Sequence, residues 1–476
     1  MKGGHRDQQE ETSRQGTTFC SDGRSSGMNR SVLIVTPFFA PQNHGAVYRA
    51  YKLAKYLPQF GWKPIVLTVD TQYEFNEDPA LLAELPKEVE IVRTRYVEPT
   101  LRGVRMALGG RNRTFNGSKG TTHKQNGTMG SVRRSAVSGA YEYLLRNWFH
   151  IPDVYWTWAR TAIAAGNKII RERGVSVVYT SSSPYSSLAV GRELQKAGAQ
   201  WVADFRDPLG YSHRLANYSP RVYKRQREAV KDALSHADAA TVLASSYRSI
   251  FRDVFGNGHS DPIFIPTGID EDLLESRDRQ VSTRQPYLIF AGEYLSEYDS
   301  SFLEAFSQTV QQEEIAKMRV KLLVIGTLEI NRKRLSPFID KFGLHQQIEF
   351  ADQMPQSEVY KLLRDACAGV LIPGSRAFWW TSFAKMTDCI GMRKPVVAVV
   401  PDPSEARTAL TRTRLGIFLD GSSANRTKIL TDFLLGKHKL PAPDEDECER
   451  YTARHQVQSF VELFESLAAR GRGYKQ

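Results

Sequence analysis

Residues 31–69, SVLIVTPFFAPQNHGAVYRAYKLAKYLPQFGWKPIVLTV, decide the fold. Residues 31–36 form an apolar run of strand length. Residues 37–45, PFFAPQNHG, are broken by proline and glycine and read as a loop. From 46 to 60 the apolar residues Val47, Ala50, Leu53, Ala54 and Leu57 recur at the spacing of one helix face. Gly61 stops that pattern, and residues 64–69 (PIVLTV) form a second strand. Strand, loop, helix and strand make a βαβ unit. Its loop lies at the carboxyl end of the first strand, where open α/β sheets bind ligands.

The rhythm then repeats. Further strands are predicted at 89–93, 175–181, 200–204, 239–244 and 262–266, with helices between them. A charged linker at 274–286 follows, and the pattern restarts with strands at 288–291, 320–325, 348–350, 369–372, 396–400 and 416–419. This predicts two Rossmann-like, doubly wound α/β domains facing across a cleft. Their expected bounds are a disordered tail at 1–30, a first domain at 31–274, a second at 275–445, and a C-terminal helix and tail at 446–476. That last helix carries Val457, Phe460, Val461, Phe464 and Leu467 on one face.

A chain of 476 residues suits two large domains. Its net charge of +12 points to an acidic partner: nucleic acid, an anionic membrane face or a phosphorylated substrate. No zinc-finger spacing, aromatic RNA-binding signature or basic zipper is present, so nucleic acid is set aside. The four cysteines are far apart and make no CxxC, which reads as reduced thiols in a cytosolic compartment and gives no metal site. No run of 18 apolar residues predicts a transmembrane helix. The first 27 residues are polar and lack a signal-peptide core, and Met28 stands closer to the first strand than Met1.

Residues 99–140 form a basic insertion without an acidic residue, containing Arg102, Arg105, Arg111, Arg113, Lys119, Lys124, Arg133 and Arg134. It reads either as a solvated flexible loop or as a segment drawn to anionic lipid headgroups, at about 1 kcal/mol per basic residue near the surface. The adjoining residues 141–149, YEYLLRNWF, are aromatic and amphipathic. Such a helix lies on a membrane interface or covers the sheet, and the sequence leaves both open. The 99–150 region is therefore the candidate contact with the inner face of a membrane, which would make a cytoplasmic protein peripheral to it.

Residues 383–400, FAKMTDCIGMRKPVVAVV, place Lys385 and Asp388 on a short helix that feeds a buried strand. This stretch joins the opening unit, IPD at 151–153 followed by Trp156, VYTSSSPYSSLAVG at 178–191, WVADFRDPLGYS at 201–212, HADAATVLASSYRSIF at 236–251 and IFIPTGID at 263–270. In that order and spacing the chain resembles the GT-B glycosyltransferases, in particular the family 4-like retaining enzymes, over residues 31–470 without the insertion. No GxGxxG follows the first strand, which disfavours a dinucleotide-binding oxidoreductase.

The resemblance implies transfer of a sugar from a nucleotide-diphosphate sugar to a hydroxyl of a glycan or lipid-linked acceptor, in polysaccharide or cell-surface glycan biosynthesis. It implies no cofactor and no metal. Lys385 matches the donor-site lysine that contacts phosphate; without a ligand it would be a solvated lysine at a helix start. Asp388 matches the acid that accepts ribose hydroxyls; alternatively it complements the helix dipole. Gly45, beside Asn43 and His44, matches the loop that lets backbone approach the donor. Gly292, Gly326, Ser375 and Arg376 stand on second-half strand ends and complete the donor side. His44, Arg49, Ser183, Tyr185, Arg206 and His213 lie on the acceptor side, with a surface ion pair the other reading of Arg49. Asp207 is placed to orient an acceptor hydroxyl or act as a base, or else caps the turn before Pro208. The chain departs from the family pattern at Trp380, where a carboxylate is usual, and at Glu293 to Ser296, where basic residues are usual. These departures keep a second reading in view, a catalytically inactive GT-B scaffold or binding protein in a glycan assembly complex.

Overall fold

The computed structural model describes residues 29–70, 77–108, 144–208, 219–274 and 285–473. The expected N-terminal tail up to residue 28, most of the basic insertion, most of the linker and His213 lie outside the described residues.

Seven strands form the first sheet: β1 (Ser31–Val35), β2 (Lys63–Val69), β3 (Glu90–Thr94), β4 (Val177–Ser182), β5 (Gln200–Phe205), β6 (Ala239–Val242) and β7 (Ile263–Phe264). Their order is β3-β2-β1-β4-β5-β6-β7, and all neighbours are parallel. Six strands form the second: β8 (Tyr287–Ala291), β9 (Lys321–Ile325), β10 (Ile348–Ala351), β11 (Ala368–Leu371), β12 (Val396–Ala398) and β13 (Gly416–Phe418). Their order is β10-β9-β8-β11-β12-β13, again parallel throughout. The two doubly wound halves expected from the sequence are both present.

Burial on both faces explains the unbroken apolar strands. In β1, Val32 and Ile34 pack against the first helix (Tyr48–Tyr56) and the last helix (Ala453–Gly473). Leu33 and Val35 face the opposite layer, which includes Trp158, Leu188, Leu194 and Val230. All four strand residues are fully buried. Each such side chain contributes about 1.5–3 kcal/mol of transfer free energy. An alternating strand could not fill two apolar layers.

The last helix belongs by packing to the first half. Val457, Phe460, Phe464 and Leu467 sit in the same cluster as Val32, Ile34 and Tyr51. The chain therefore crosses between halves twice, and the two crossings pair. The Ile269 N–H donates to the Tyr451 carbonyl at 2.7 Å, and the Ala453 N–H donates to the Ile269 carbonyl at 2.8 Å. Gly268 fits there because a Cβ would lie 2.0 Å from the Thr452 carbonyl oxygen.

Several helices differ from the sequence reading. The Leu101–Leu108 helix lies at the start of the stretch expected as a basic loop, and the short helices Ala80–Ala83, Glu313–Met318 and Glu445–Glu449 were not anticipated. The Leu328–Phe342 helix begins a turn earlier than its apolar spacing suggested. The Ser423–Leu434 helix was not anticipated, because threonines at 427 and 431 blur its buried stripe. Its start is marked by Ser422, whose hydroxyl accepts from the Asn425 N–H at 3.3 Å.

Candidate functional site

Strand order places the ligand-binding crevices. In the first sheet the order reverses between β1 and β4, and in the second between β8 and β11. Chains leaving the carboxyl ends of such a pair diverge and open a gap. At the first reversal lie the loop through His44 and Gly45 and the loop through Ser183. At the second lie Gly292, just after β8, and the 372–383 loop that leads into the Ala384–Gly391 helix.

Backbone geometry at the second reversal requires glycine. Gly292 has φ +125°, a region L side chains rarely adopt. A Cβ on Gly326 would meet the Gly292 carbonyl oxygen at 2.5 Å. Buried Asn331 fixes the turn, donating to the Gly292 carbonyl at 3.0 Å and accepting from the Tyr294 N–H at 2.8 Å.

Lys385 enters this crevice from the first turn of its helix. Its Nζ lies 3.5 Å from the Phe290 ring centre and 5.9 Å from that of Tyr298. A Cβ on Gly292 would come within 3.4 Å of the same Nζ. Among the described residues no carboxylate or carbonyl pairs with it, and burial pushes its pKa down to about 7. A cation in the first helical turn is opposed by the helix dipole. Both the ammonium and the first-turn N–H groups call for an anion.

Asp388 lies one turn further on and accepts from the Tyr360 hydroxyl at 3.1 Å. Burial raises its pKa to about 6, against the opposing influence of Lys52 and the Tyr360 hydrogen bond. Ser375 caps the short turn Arg376–Phe378 by accepting from the Ala377 N–H at 3.2 Å. Arg376 is exposed on that loop.

The first-half residues divide into two sets. Phe38, His44, Ser183 and Arg206 gather at the sheet reversal. The His44 ring packs edge-on against Phe38 at 5.0 Å. Its Nδ1 accepts from the Ala46 N–H at 3.3 Å, so Nε2–H faces Gln42 Oε1 at 3.2 Å. Burial, and secondarily the Arg206 charge, pushes the imidazole pKa down to about 4, so the ring is neutral at pH 7. Arg206 donates to the Ser183 carbonyl and lies 5.8 Å from the Phe38 ring centre. Its Nε is buried without a hydrogen-bond partner among the described residues. Gly45 is exposed with open space around it, and Asp207 is exposed at the end of β5. Tyr185 is buried beside this set.

Arg49 stands apart. The sequence suggested an acceptor contact or a surface pair, but the structure buries it in the domain interior, so it does not join the crevice. Its guanidinium grips Asp204 with two hydrogen bonds of 2.8 Å and donates to Thr267 Oγ1 at 3.2 Å. Asp204 also accepts from Tyr179 at 2.7 Å and Thr241 at 2.6 Å. Asp153, of the IPD stretch, is structural as well: it caps the Ser186–Lys196 helix, accepting from the Ser186 N–H at 2.8 Å and the Ser186 hydroxyl at 2.7 Å.

The halves also meet at a contact the sequence did not suggest. Trp380, on the second-half loop, inserts into the apolar cluster of the first half, 6.1 Å from the Tyr247 ring. Its carbonyl accepts from Ser246 Oγ at 3.0 Å. Glu405 caps the Ser246–Phe255 helix across the interface, accepting from the Ser245 N–H at 3.0 Å, the Ser245 hydroxyl at 2.8 Å and the Ser246 N–H at 2.8 Å. Asn331, Tyr360, Glu405 and Lys52 are the residues sequence reasoning missed. Each lies on a helix whose apolar stripe draws the eye elsewhere, and their partners are distant in sequence.

This arrangement defines a GT-B glycosyltransferase fold, and solved structures agree. The chain is similar to a glycosyltransferase from Rickettsia africae at 12% identity, with TM-score 0.58, over 92% of this chain and 98% of that one. It is similar to sucrose-phosphate synthase from Thermosynechococcus elongatus at 13% identity, with TM-score 0.53, over 94% and 98%. It also resembles the N-terminal domain of trehalose-6-phosphate phosphatase from Candida albicans at 13% identity, with TM-score 0.52, over 92% and 97%. No family model matches the chain, and no curated protein sequence matches it. At these identities the likeness defines the fold alone.

Proposed function

We propose that the protein binds a nucleotide-diphosphate sugar at the second-half crevice and transfers the sugar, with retention, to an acceptor hydroxyl at the first-half crevice. The observation that carries this reading is Lys385, a cation with no counter-charge among the described residues, beside glycine-restricted strand ends and a helix N-terminus. A diphosphate satisfies all three. In the transfer, the bond between the sugar's anomeric carbon and the phosphate oxygen breaks, and its electron pair leaves with the nucleoside diphosphate. The acceptor oxygen bonds to the same face of that carbon and gives its proton to the departing phosphate. Lys385 stabilises the developing charge. Asp388 accepts the ribose hydroxyls. Gly292, Gly326, Ser375 and Arg376 line the donor side, and Gly45 allows close backbone approach. His44, Ser183, Tyr185, Arg206 and Asp207 serve the acceptor, a glycan or lipid-linked hydroxyl of a cell-surface pathway; Arg49 supports them from below. No step needs a metal.

The test is release of nucleoside diphosphate from a panel of nucleotide sugars, with candidate acceptors, by wild type and Lys385→Ala. Turnover by wild type that the variant loses supports the reading, and no turnover with any donor counts against it.

A binding protein without turnover is favoured by one observation, Trp380 packed in the first-half core where the family pattern has a carboxylate. Donor binding without product release would select it. Peripheral membrane docking draws on the exposed Leu101, Val104, Leu144 and Trp148 at the two margins of the basic segment, with Arg221 4.9 Å from the Trp148 ring. No helix among the described residues is long and apolar enough to cross a membrane. Deleting residues 109–143 is expected to release the protein from anionic liposomes, and unchanged binding would remove this reading.

A further inference from the structure

Two tyrosine–aspartate hydrogen bonds in this chain leave their carboxylates in different states. Asp204 takes the Tyr179 hydroxyl together with Arg49 and Thr241, and both of its oxygens are filled. Asp388 takes the Tyr360 hydroxyl on Oδ1 at 3.1 Å, and among the described residues nothing donates to its Oδ2. A carboxylate accepts about four hydrogen bonds, so most of the capacity of Asp388 is unused. Asp388 is partly exposed, whereas Tyr360 is fully buried. A ligand can reach the carboxylate but not the phenol behind it.

The phenol is itself directed. Gln356 Nε2 donates to the Tyr360 hydroxyl oxygen at 2.6 Å. The two residues stand at i and i+4 on one face of the Gln356–Asp365 helix. The amide supplies a proton to the phenol oxygen, so the phenol's own proton points to Asp388. That helix lines a small cavity with the Ala384–Gly391 helix, Val359 and Leu363 on one side and Lys385, Asp388 and Cys389 on the other. The Tyr360 bond therefore ties the two helices together at the edge of the second-half crevice. Without it the aspartate would be left to sample several staggered rotamers.

We propose that Tyr360, directed by Gln356, is a positioning residue that holds the Asp388 carboxylate in one rotamer with Oδ2 presented to a ligand hydroxyl. Held in this way, the carboxylate loses no further rotamer freedom when the ligand arrives, and the contact gains strength from that preorganisation. Only the identity of the hydroxyl, on a ribose, rests on the nucleotide-sugar reading.

The test compares uridine, guanosine and adenosine diphosphates with the 2′,3′-dideoxy form of whichever binds. Tyr360→Phe keeps the ring and removes the proton. It should weaken the ribonucleotide about 3- to 10-fold, the effect of leaving one side chain to be ordered on binding, and keep the dideoxynucleotide within about 2-fold of wild type. Gln356→Glu is the sharper variant. The introduced carboxylate accepts the Tyr360 proton and draws it from Asp388 while the ring stays packed, so the same selective loss is expected. An equal loss for both nucleotides, or none for either, in a folded variant overturns the positioning role. Should Tyr360→Phe not fold, Gln356→Glu decides, because it changes a half-exposed side chain. Crystal structures of ligand-free wild type and Gln356→Glu complete the test. Asp388 turned from its wild-type rotamer in the variant upholds the positioning role even where no nucleotide binds, and that lack of binding removes the nucleotide reading instead. Asp388 in the same rotamer in both structures overturns the proposal.

Discussion

Asp204 and Asp388 are both withdrawn aspartates near a sheet reversal, yet their surroundings differ. Asp204 is fully buried and accepts four hydrogen bonds, two of them from Arg49. Among the described residues Asp388 has one donor, the Tyr360 hydroxyl, and its neighbour Lys385 has no counter-charge. A satisfied buried pair holds the fold, whereas an under-satisfied pair awaits something else. The first crevice is built on the one and the second crevice offers the other.

The largest expected effect breaks the satisfied side. Arg49→Met leaves Asp204 buried without its cation and should cost about 3–5 kcal/mol in urea unfolding. A cost under about 1 kcal/mol, the range of an exposed pair, would mean that Arg49 is not the internal brace described. Next is Trp380→Ala, which should cost about 3 kcal/mol by emptying a site in the first-half cluster. Small-angle scattering should then show the halves separating further when Glu405→Gln is added; an unchanged radius would show that the crossings alone hold them.

The under-satisfied side should respond in the opposite sense. Lys385→Met should weaken nucleoside diphosphate binding by about 10- to 100-fold, the loss of one or two charge-assisted contacts, while slightly raising fold stability at pH 7. The sign follows from linkage. The folded-state pKa, about 7, is below the usual lysine value of 10.5. The penalty is therefore full below pH 7 and disappears as pH rises to 10.5, and the variant's advantage should disappear with it. For Asp388 the folded pKa, about 6, is above the unfolded 3.8. Its ionisation makes stability fall as pH rises from about 4 to 6, so Asp388→Asn should gain on wild type across that window and match it at lower pH. Denaturation series at four pH values check both. Equal profiles for variant and wild type would place these groups in ordinary solvent.

The sequence conveyed the fold well because the physics is local. Buried parallel strands such as residues 64–69 read as apolar runs, and the first helix reads from its apolar spacing. Lys385 and Asp388 were legible too, since their chemistry sits on one short helix next to its strand. Arg49 was not. Its helix position fits a surface cation, and only Asp204, 155 residues away, shows why it is buried. Lys52 was hidden for the same reason, the Gly268 carbonyl that it donates to lying 216 residues away on the crossing segment. Trp380 was visible as a departure from a pattern, but its burial in the first-half cluster depends on how the halves meet.

The most direct test of the central claim, that Lys385 awaits a diphosphate, is calorimetry of uridine, guanosine and adenosine diphosphates at pH 8 in two buffers of different ionisation enthalpy. An ammonium with a pKa of about 7 is mostly neutral there, and an adjacent diphosphate should recharge it. One nucleotide should bind with uptake of up to about one proton, and Lys385→Met should bind more weakly with none. No binding by any of the three, or the same proton count in wild type and variant, would contradict the account.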